Sequence, residues 1–187
     1  MAVKVYIDQG HNPVNPNAGA EGNGYREQDL VYEIGIRLAE ILRANGLETR
    51  LSRPFPDTQL GTSNATSLAT RVTDANTWGA DYFISLHTNA SASASATGSE
   101  AYVFRLGSEA STLAEDILLQ LGYATGLPNR GVLARPTLYV LRRTAMPAVL
   151  VELGFISNPY DASLMANQPG LFANGVANGI LSYLGIL

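Results

Sequence analysis

The chain has 187 residues, of which 46% are hydrophobic and 15% are charged. This length suffices for one well-buried core, and no apolar run approaches the length of a membrane span. The absence of cysteine excludes disulfides and thiolate zinc sites, so histidine and carboxylate are the strong metal ligands left. A net charge of −4 argues against nucleic acid as a partner and against electrostatic docking onto an anionic membrane or wall polymer.

Apolar, β-branched runs alternate along the chain with segments of helical periodicity. Glu27 opens the first predicted helix, which Gly46 ends, and Gly79 ends the second. This alternation predicts a single α/β domain over residues 1–187, with a mainly parallel, twisted β-sheet covered by helices on both faces. The predicted strands are residues 3–7, 47–53, 81–87, 100–104, 137–143 and 148–153, and the later predicted helices are residues 66–78, 108–126, 158–168 and 171–185.

The chain has only two histidines, and both come at the end of a predicted strand. His11 follows VKVYIDQG, and His87 follows DYFISL. Glu152 likewise lies near the end of an apolar run, AVLVELGF. Reactive groups of an open α/β sheet gather beyond the carboxyl ends of its parallel strands, so these three side chains predict one shared metal site.

A hydrolytic zinc site commonly uses two histidines and one carboxylate, with water in the fourth position. Glu27 stands out as the carboxylate because it opens the first helix, at the sheet edge to which the His11 loop returns. A carboxylate at a helix start is also favoured by the helix dipole, and on position alone that structural explanation is the preferred one. The other carboxylates near His11 are Asp8, Glu21 and Asp29.

Glu152 lies between apolar neighbours on both sides. A glutamate is almost never fully buried unless it is paired, so its desolvation is expected to serve a function. We interpret it as the general base that takes a proton from water as the water attacks a carbonyl. A fourth metal ligand and an ion-pair partner of an arginine are the alternatives.

Six segments match one enzyme family in order: IDQGHN, GAEGNGYRE, FISLHTNA, GSEAYVF, NRGV and LYVLRRTAMPAVLVELGFISNPYDA. They resemble the zinc-dependent N-acetylmuramoyl-L-alanine amidases of the type called amidase 3, from Val3 to the last helix. The resemblance implies a zinc hydrolase that cuts the amide bond between the lactyl group of N-acetylmuramic acid and the L-alanine of the peptidoglycan stem peptide. One departure is DQGHN in place of the more usual D-x-G-H-G-G, which concerns the loop after His11 rather than the ligand itself.

The resemblance also implies roles for four residues. The family's zinc ligands correspond to His11, Glu27 and His87, and its catalytic base corresponds to Glu152. Glu21 falls at the variable position of the GA-x-G stretch, which favours Glu27 as the third ligand. Some members carry an inserted helix that occludes the zinc, but here the Ser/Ala-rich residues 91–99 predict a short mobile loop and an open site.

Two other functions are weighed against the amidase. A zinc peptidase acting on stem peptides would be expected to show an H-x-x-E pair, which the chain lacks, and a non-catalytic wall-binding domain would not need Glu152. We expect peptidoglycan as the substrate, a monomer, and an extracellular or cell-wall location, with any wall-binding module outside this chain. Because MAVKVYI enters the first strand directly, no secretory signal is expected in the chain.

Positive charge is concentrated before the last predicted strand. TLYVLRR precedes the Glu152 strand, and stem peptides carry carboxylates, which suit the planar arginine fork. We therefore predict that one of Arg142 and Arg143 binds a stem-peptide carboxylate, since the period-two alternation of a strand disfavours both. The arginines between Asp116 and Glu152, an interval without acidic residues, are Arg130, Arg135, Arg142 and Arg143.

Overall fold

A computed structural model describes residues 2–187 and contains a six-stranded sheet between two layers of helices. A second, two-stranded hairpin precedes the first helix. The strands are β1 (Lys4–Gln9), β2 (Glu21–Gly22), β3 (Tyr25–Arg26), β4 (Glu48–Leu51), β5 (Tyr82–Asn89), β6 (Ser99–Val103), β7 (Asn129–Ala134) and β8 (Ala148–Phe155). The helices are α1 (Glu27–Ala44), α2 (Asn64–Trp78), α3 (Glu109–Thr125), α4 (Tyr139–Arg143), α5 (Pro159–Asn167) and α6 (Pro169–Tyr183).

The large sheet is mainly parallel, in the order β4-β1-β5-β8-β6-β7. Within this six-stranded sheet of the described residues, the pairing of β6 with β8 is antiparallel and the other pairings are parallel. As a result, β1, β5 and β8 are adjacent and end at the same edge of the sheet. The predicted fold class, an α/β domain with a mainly parallel sheet and helices on both faces, is confirmed.

The core lies on both faces of the sheet, because side chains alternate along each strand. On one face, the larger cluster packs the sheet against α1, α3 and α6, with Ile7, Ile84 and Val151 at its centre. On the other face, a smaller cluster around Tyr6 and Phe83 packs against α2 and α4. No helix within residues 2–187 is both long and apolar enough to cross a membrane.

Two predicted helix ends agree with the structure. Gly79 follows α2 with φ +69°, a left-handed conformation that glycine adopts without penalty, and its N–H donates to Asn76 O at 3.1 Å. Gly46 lies just beyond α1, also with positive φ. At its other end, α2 begins with a capping box in which Ser63 accepts from the Thr66 N–H.

The prediction of a strand over residues 137–143 is wrong. Residues Tyr139–Arg143 form the short helix α4, which packs Val140 and Leu141 into the smaller cluster. Four consecutive apolar residues, LYVL, suit a buried helix turn as well as a strand. Both edges of β8 are already paired, with β5 and β6, so no position beside it remains for a further strand.

Three short strands, β2, β3 and β7, are not among those predicted from the sequence. Residues Asn129–Ala134 form β7, the edge strand next to β6. The Ser/Ala-rich segment before β6 forms turns, and hydrogen bonds from its backbone and from a side chain join it to the domain. Ser91 N–H donates to Ser157 Oγ at 3.0 Å, and the Thr97 hydroxyl donates to Asp161 at 2.6 Å.

Candidate active site

Three neighbouring parallel strands bring the candidate residues to one edge of the sheet. His11 lies two residues beyond β1, while His87 and Glu152 lie within β5 and β8. His87 and Glu152 are direct partners in the register of β5 and β8, so their side chains share one face of the sheet. Glu27 is the first residue of α1 and follows the β2–β3 hairpin, which returns the chain to this edge.

His11, Glu27 and His87 form a cluster that could hold a metal ion, with one ligand atom from each lying within 4.8 Å of the others. Glu27 Oε1 lies 3.2 Å from His11 Nε2 and 3.1 Å from His87 Nδ1. The two imidazole rings meet edge to face at 4.8 Å between centroids. Two imidazole nitrogens and a carboxylate oxygen suit several divalent transition metals, so the chemistry of the donor set fits a metal centre.

The Glu27 carboxylate is only 3% exposed and is fixed by the backbone as well as by the histidines. Thr88 N–H donates to Oε1 at 2.9 Å, and Ala20 N–H donates to Oε2 at 2.9 Å. Burial alone would raise the pKa of Glu27, but hydrogen bonds and charge from His11 and His87 hold that pKa well below its ordinary value. The carboxylate is therefore ionised, as a metal ligand must be.

Two glycines allow the cluster to form. A Cβ on Gly10 would lie 2.5 Å from Cε1 of His87, and a Cβ on Gly19 would lie 2.9 Å from Cβ of Glu27. Any side chain at either position would push against a member of the cluster. Gly10 of the GH pair and Gly19, the first glycine of GAEG, are thus needed because the cluster leaves no room for a side chain at either position.

His11 has φ +65°, in the left-handed region that is uncommon for residues other than glycine. Its backbone is fixed by the buried guanidinium of Arg71, which donates to His11 O at 2.6 Å and to Gln9 O at 2.7 Å. Asp8 pairs with Arg71 at 2.5 Å and accepts from Ser85 at 2.7 Å. The Asp8–Arg71 pair therefore positions the loop that carries His11, a role that the sequence analysis missed.

The structure separates the carboxylate candidates named above. Burial would raise the pKa of Asp8, but Arg71 and the hydrogen bond from Ser85 hold that pKa below its ordinary value. Asp8 is thus engaged with Arg71 and lies outside the metal-binding group. Glu21 and Asp29 are exposed and lie outside it too. Of the four, only Glu27 contacts both histidines.

Glu152 lies beside this cluster, with its Oε2 atom buried and without a hydrogen-bond partner. It makes no ion pair with an arginine within residues 2–187. Burial, together with the negative charges of Glu27 and Glu100, raises the pKa of Glu152 to about 8. A half-buried carboxylate with a buried, free oxygen and a raised proton affinity has the properties of a general base.

The comparison with known proteins identifies the family. The family model for N-acetylmuramoyl-L-alanine amidase (Amidase_3) matches residues 5–182. The chain belongs to this family. The family and the enzyme class expected from the sequence are confirmed.

Relatives of this amidase-family chain act in different settings. The sporulation-specific N-acetylmuramoyl-L-alanine amidase of Bacillus subtilis (strain 168) is 36% identical over 183 residues, covering 95% of this chain and 67% of that protein. The endolysin of Bacillus phage SPP1 is 32% identical over 184 residues, covering 96% and 64%. The chain therefore spans about two thirds of the length of these two relatives.

The fold has a matching solved structure. The catalytic domain of CwlV, an N-acetylmuramoyl-L-alanine amidase from Bacillus (Paenibacillus) polymyxa var. colistinus, superimposes with a TM-score of 0.85. It is 33% identical, and the match covers 99% of each chain. This agreement extends over the strands and helices that carry the cluster.

The two arginines predicted to bind substrate are both exposed on α4. Arg142 lines a cavity of about 420 Å³ with Phe104 and Met146, apart from the smaller cavity that reaches both histidines. Because residues 137–143 are not a strand, the period-two argument that only one arginine faces the cleft no longer applies. Their role in this amidase-family chain stays a prediction.

The raised pKa of Glu152 predicts a pH-dependent effect on stability. Between pH 4.5, the ordinary pKa of Glu152, and about pH 8, its raised pKa, the folded state holds a proton that the unfolded chain has lost. The free energy of unfolding therefore falls as pH rises through this range. With chelator present, Glu152→Gln should raise the free energy of unfolding at pH 9 by on the order of 1 to 3 kcal/mol. At pH 4 it should change little. Urea unfolding at both pH values measures this.

The exposed Glu115 on α3 provides the control. Glu115→Gln removes the same charge far from the cluster and should show no difference between pH 4 and pH 9. An equal response of the two variants at pH 9 would contradict the raised pKa of Glu152.

Proposed function

We propose that the chain hydrolyses the amide bond between the lactyl group of N-acetylmuramic acid and the L-alanine of the peptidoglycan stem peptide. In this proposal His11, Glu27 and His87 hold a zinc ion and Glu152 is the catalytic base. The observation that carries it is the convergence of three ligand atoms beside a buried, unpartnered carboxylate oxygen. Membership of the amidase family supports the choice of bond.

The donor set fits zinc. Two imidazole nitrogens and one carboxylate oxygen are a common set in hydrolytic zinc sites, which keep the fourth position for water. Glu27 Oε1 lies 3.2 and 3.1 Å from the two histidine nitrogens. Bound zinc would polarise the substrate carbonyl and lower the pKa of a water molecule.

The chain's own residues supply the proton transfers. Glu152 would accept a proton from the attacking water at Oε2, the atom that lacks a protein partner. The protonated side chain would then deliver this proton to the nitrogen of the departing L-alanine, as a general acid. Arg71, through its bonds to the His11 loop, keeps the ligand backbone in place during these steps.

Analysis of digested peptidoglycan by mass spectrometry tests this proposal. An amidase releases free stem peptides and leaves glycan strands with intact lactyl groups. Shortened stems would instead identify a peptidase, and binding without products would identify a non-catalytic wall-binding domain. Either of these two results would overturn the proposal.

The proposed substrate also implies where the chain works. We propose that it acts on the cell wall, because relatives are named as a sporulation-specific amidase and a phage endolysin. A monomeric state is part of the proposal, and light scattering after gel filtration measures it. With a net charge of −4, attachment to an anionic wall polymer would depend on contacts other than overall charge.

Removal of the metal should abolish activity without unfolding the protein. The larger core, between the sheet and helices α1, α3 and α6, does not include the cluster residues, so the fold should not depend on the metal. Circular dichroism before and after chelation, combined with the activity assay, measures both quantities. Re-addition of zinc is the control and should restore turnover. Loss of the helical signal on chelation would show that the metal is structural.

A further inference from the structure

On the sheet face that carries Glu152, the side chains of β6 and β7 are partly open to solvent, with Tyr102 half-buried and Leu133 exposed. The helix that packs on β6 and β7 is α3, and it lies on the opposite face with the larger core. On the Glu152 face, β6 presents Tyr102, and β7 presents Leu133, which is 41% exposed. We call the surface formed by Glu100, Tyr102, Leu133, Arg130 and Arg135 the shelf.

The shelf is continuous with the proposed catalytic site. Glu100 is the direct register partner of Glu152, and Tyr102 is the partner of Leu150. Leu133 is in turn the partner of Tyr102 on the edge strand. A peptide that extends from a scissile bond at Glu152 across β6 towards β7 would therefore lie on these partly exposed side chains.

The centre of the shelf is rigid. Glu100 is buried, and its carboxylate accepts hydrogen bonds from Asn89 Nδ2 at 2.7 Å and from the Tyr102 hydroxyl. These bonds fix the Tyr102 ring along the sheet surface. An aromatic ring held in this way offers a fixed platform for a planar cation.

The two arginines of the shelf differ in how far their charge is already used. Arg130 donates from Nε to Glu100 at 3.1 Å and lies over the Phe155 ring at 5.1 Å, so a carboxylate already neutralises it. Arg135 lies 5.2 Å from the centre of the Tyr102 ring and is exposed. Within residues 2–187 it forms no ion pair with a carboxylate. Arg135 is thus an oriented cation without a counter-charge.

We propose that Arg135 binds the first free carboxylate of the stem peptide beyond L-alanine, and that this contact sets substrate preference. The inference rests on the proposed function. The α-carboxylate of the second stem residue lies about 7 Å from the scissile nitrogen in an extended chain. In the strand register, Arg135 follows Ala134, so its backbone lies two strands across and about four residues along from Glu152, roughly 16 Å away. Its guanidinium lies over the Tyr102 ring, on the side of β7 that faces Glu152. The unpaired positive charge of Arg135 therefore complements the free carboxylate of the peptide.

Two synthetic N-acetylmuramoyl peptides test this contact. They should be identical except that the second stem residue carries a free α-carboxylate in one and a carboxamide in the other. The zinc-loaded wild type should have the lower KM for the carboxylate. Arg135→Gln should raise KM for that substrate about tenfold and leave KM for the carboxamide unchanged, because a charged hydrogen bond is lost only with the first. kcat should change little for either.

Arg105→Gln is the matched control, since it removes the same charge from an exposed arginine just beyond β6. It should leave both KM values unchanged. Arg142→Gln and Arg143→Gln in the same assay test the assignment made from the sequence. Arg135→Lys keeps the charge but not the planar fork and should recover only part of the preference.

The outcomes separate the two proposals. If the wild type cleaves neither substrate, the proposed function is wrong and the inference fails with it. If both are cleaved but Arg135→Gln matches the wild type, only the inference is overturned. Equal rises in KM for both substrates would also overturn it, because a loss of surface shape alone would affect both.

Discussion

Glu152→Gln should lower kcat of the zinc-loaded enzyme by about 10² to 10⁴-fold, the range for loss of a general base. Glutamine has nearly the same shape as glutamate but cannot accept the proton from the attacking water. The position tolerates a neutral side chain, because Oε2 has no partner to lose and burial already disfavours the charge. Folding and zinc content should therefore match those of the wild type.

Steady-state kinetics, metal analysis and thermal unfolding on the same preparations measure these three properties. Glu115→Gln, on the exposed face of α3, is the charge control and should keep full activity. Near-normal turnover of Glu152→Gln would show that another group is the base. Loss of zinc from this variant would make Glu152 a fourth ligand, the alternative weighed from the sequence.

The strand ends of the first, third and last parallel strands could be predicted from the sequence. Each is a β-branched, apolar run that leads directly into a polar residue, as in VKVYIDQGH and DYFISLH. Parallel strands buried on both faces have such continuous apolar runs, and their common edge then places His11, His87 and Glu152 together. The site followed from the topology because β1, β5 and β8 are neighbours in the sheet.

The region between α3 and β8 could not be predicted in the same way. The edge strand β7 has few buried residues, and Gly131 with φ +91° lies within it, so NRGVLA has no strand-like alternation. In α4, the apolar run LYVL has no period that separates a helix turn from a strand. Because α4 is a helix, the period-two argument does not choose between Arg142 and Arg143, and their substrate-binding role stays a prediction.

The residues that support the ligands were missed because their partners are distant in sequence. Arg71 appears in the sequence as one position of an amphipathic helix, yet its guanidinium bonds to the His11 carbonyl 60 residues away. In the sequence, Glu100 is only the first residue of a predicted strand. In the structure its carboxylate accepts hydrogen bonds from Tyr102 and Arg130. A pattern of hydrophobic residues contains no signal for such buried polar contacts, which only the packed fold creates.

His87→Ala should remove the metal from an otherwise folded protein. The substitution deletes one of the three proposed ligands and leaves His11 and Glu27 as the other two. Loss of a group that merely orients a ligand costs 10 to 100-fold in metal affinity, so loss of a ligand should cost more than about 100-fold. Competition with a chromophoric chelator measures this affinity independently of activity, and circular dichroism checks the fold.

The comparison with Glu152→Gln decides the division of roles in the site, since these two side chains are register partners on one face. Both variants should be inactive, but only His87→Ala should lose zinc affinity, because His87 belongs to the metal-binding group and Glu152 does not. Excess zinc should therefore restore part of the metal content of His87→Ala and none of the activity of Glu152→Gln. Wild-type zinc affinity in His87→Ala would place the metal elsewhere and overturn the ligand assignment.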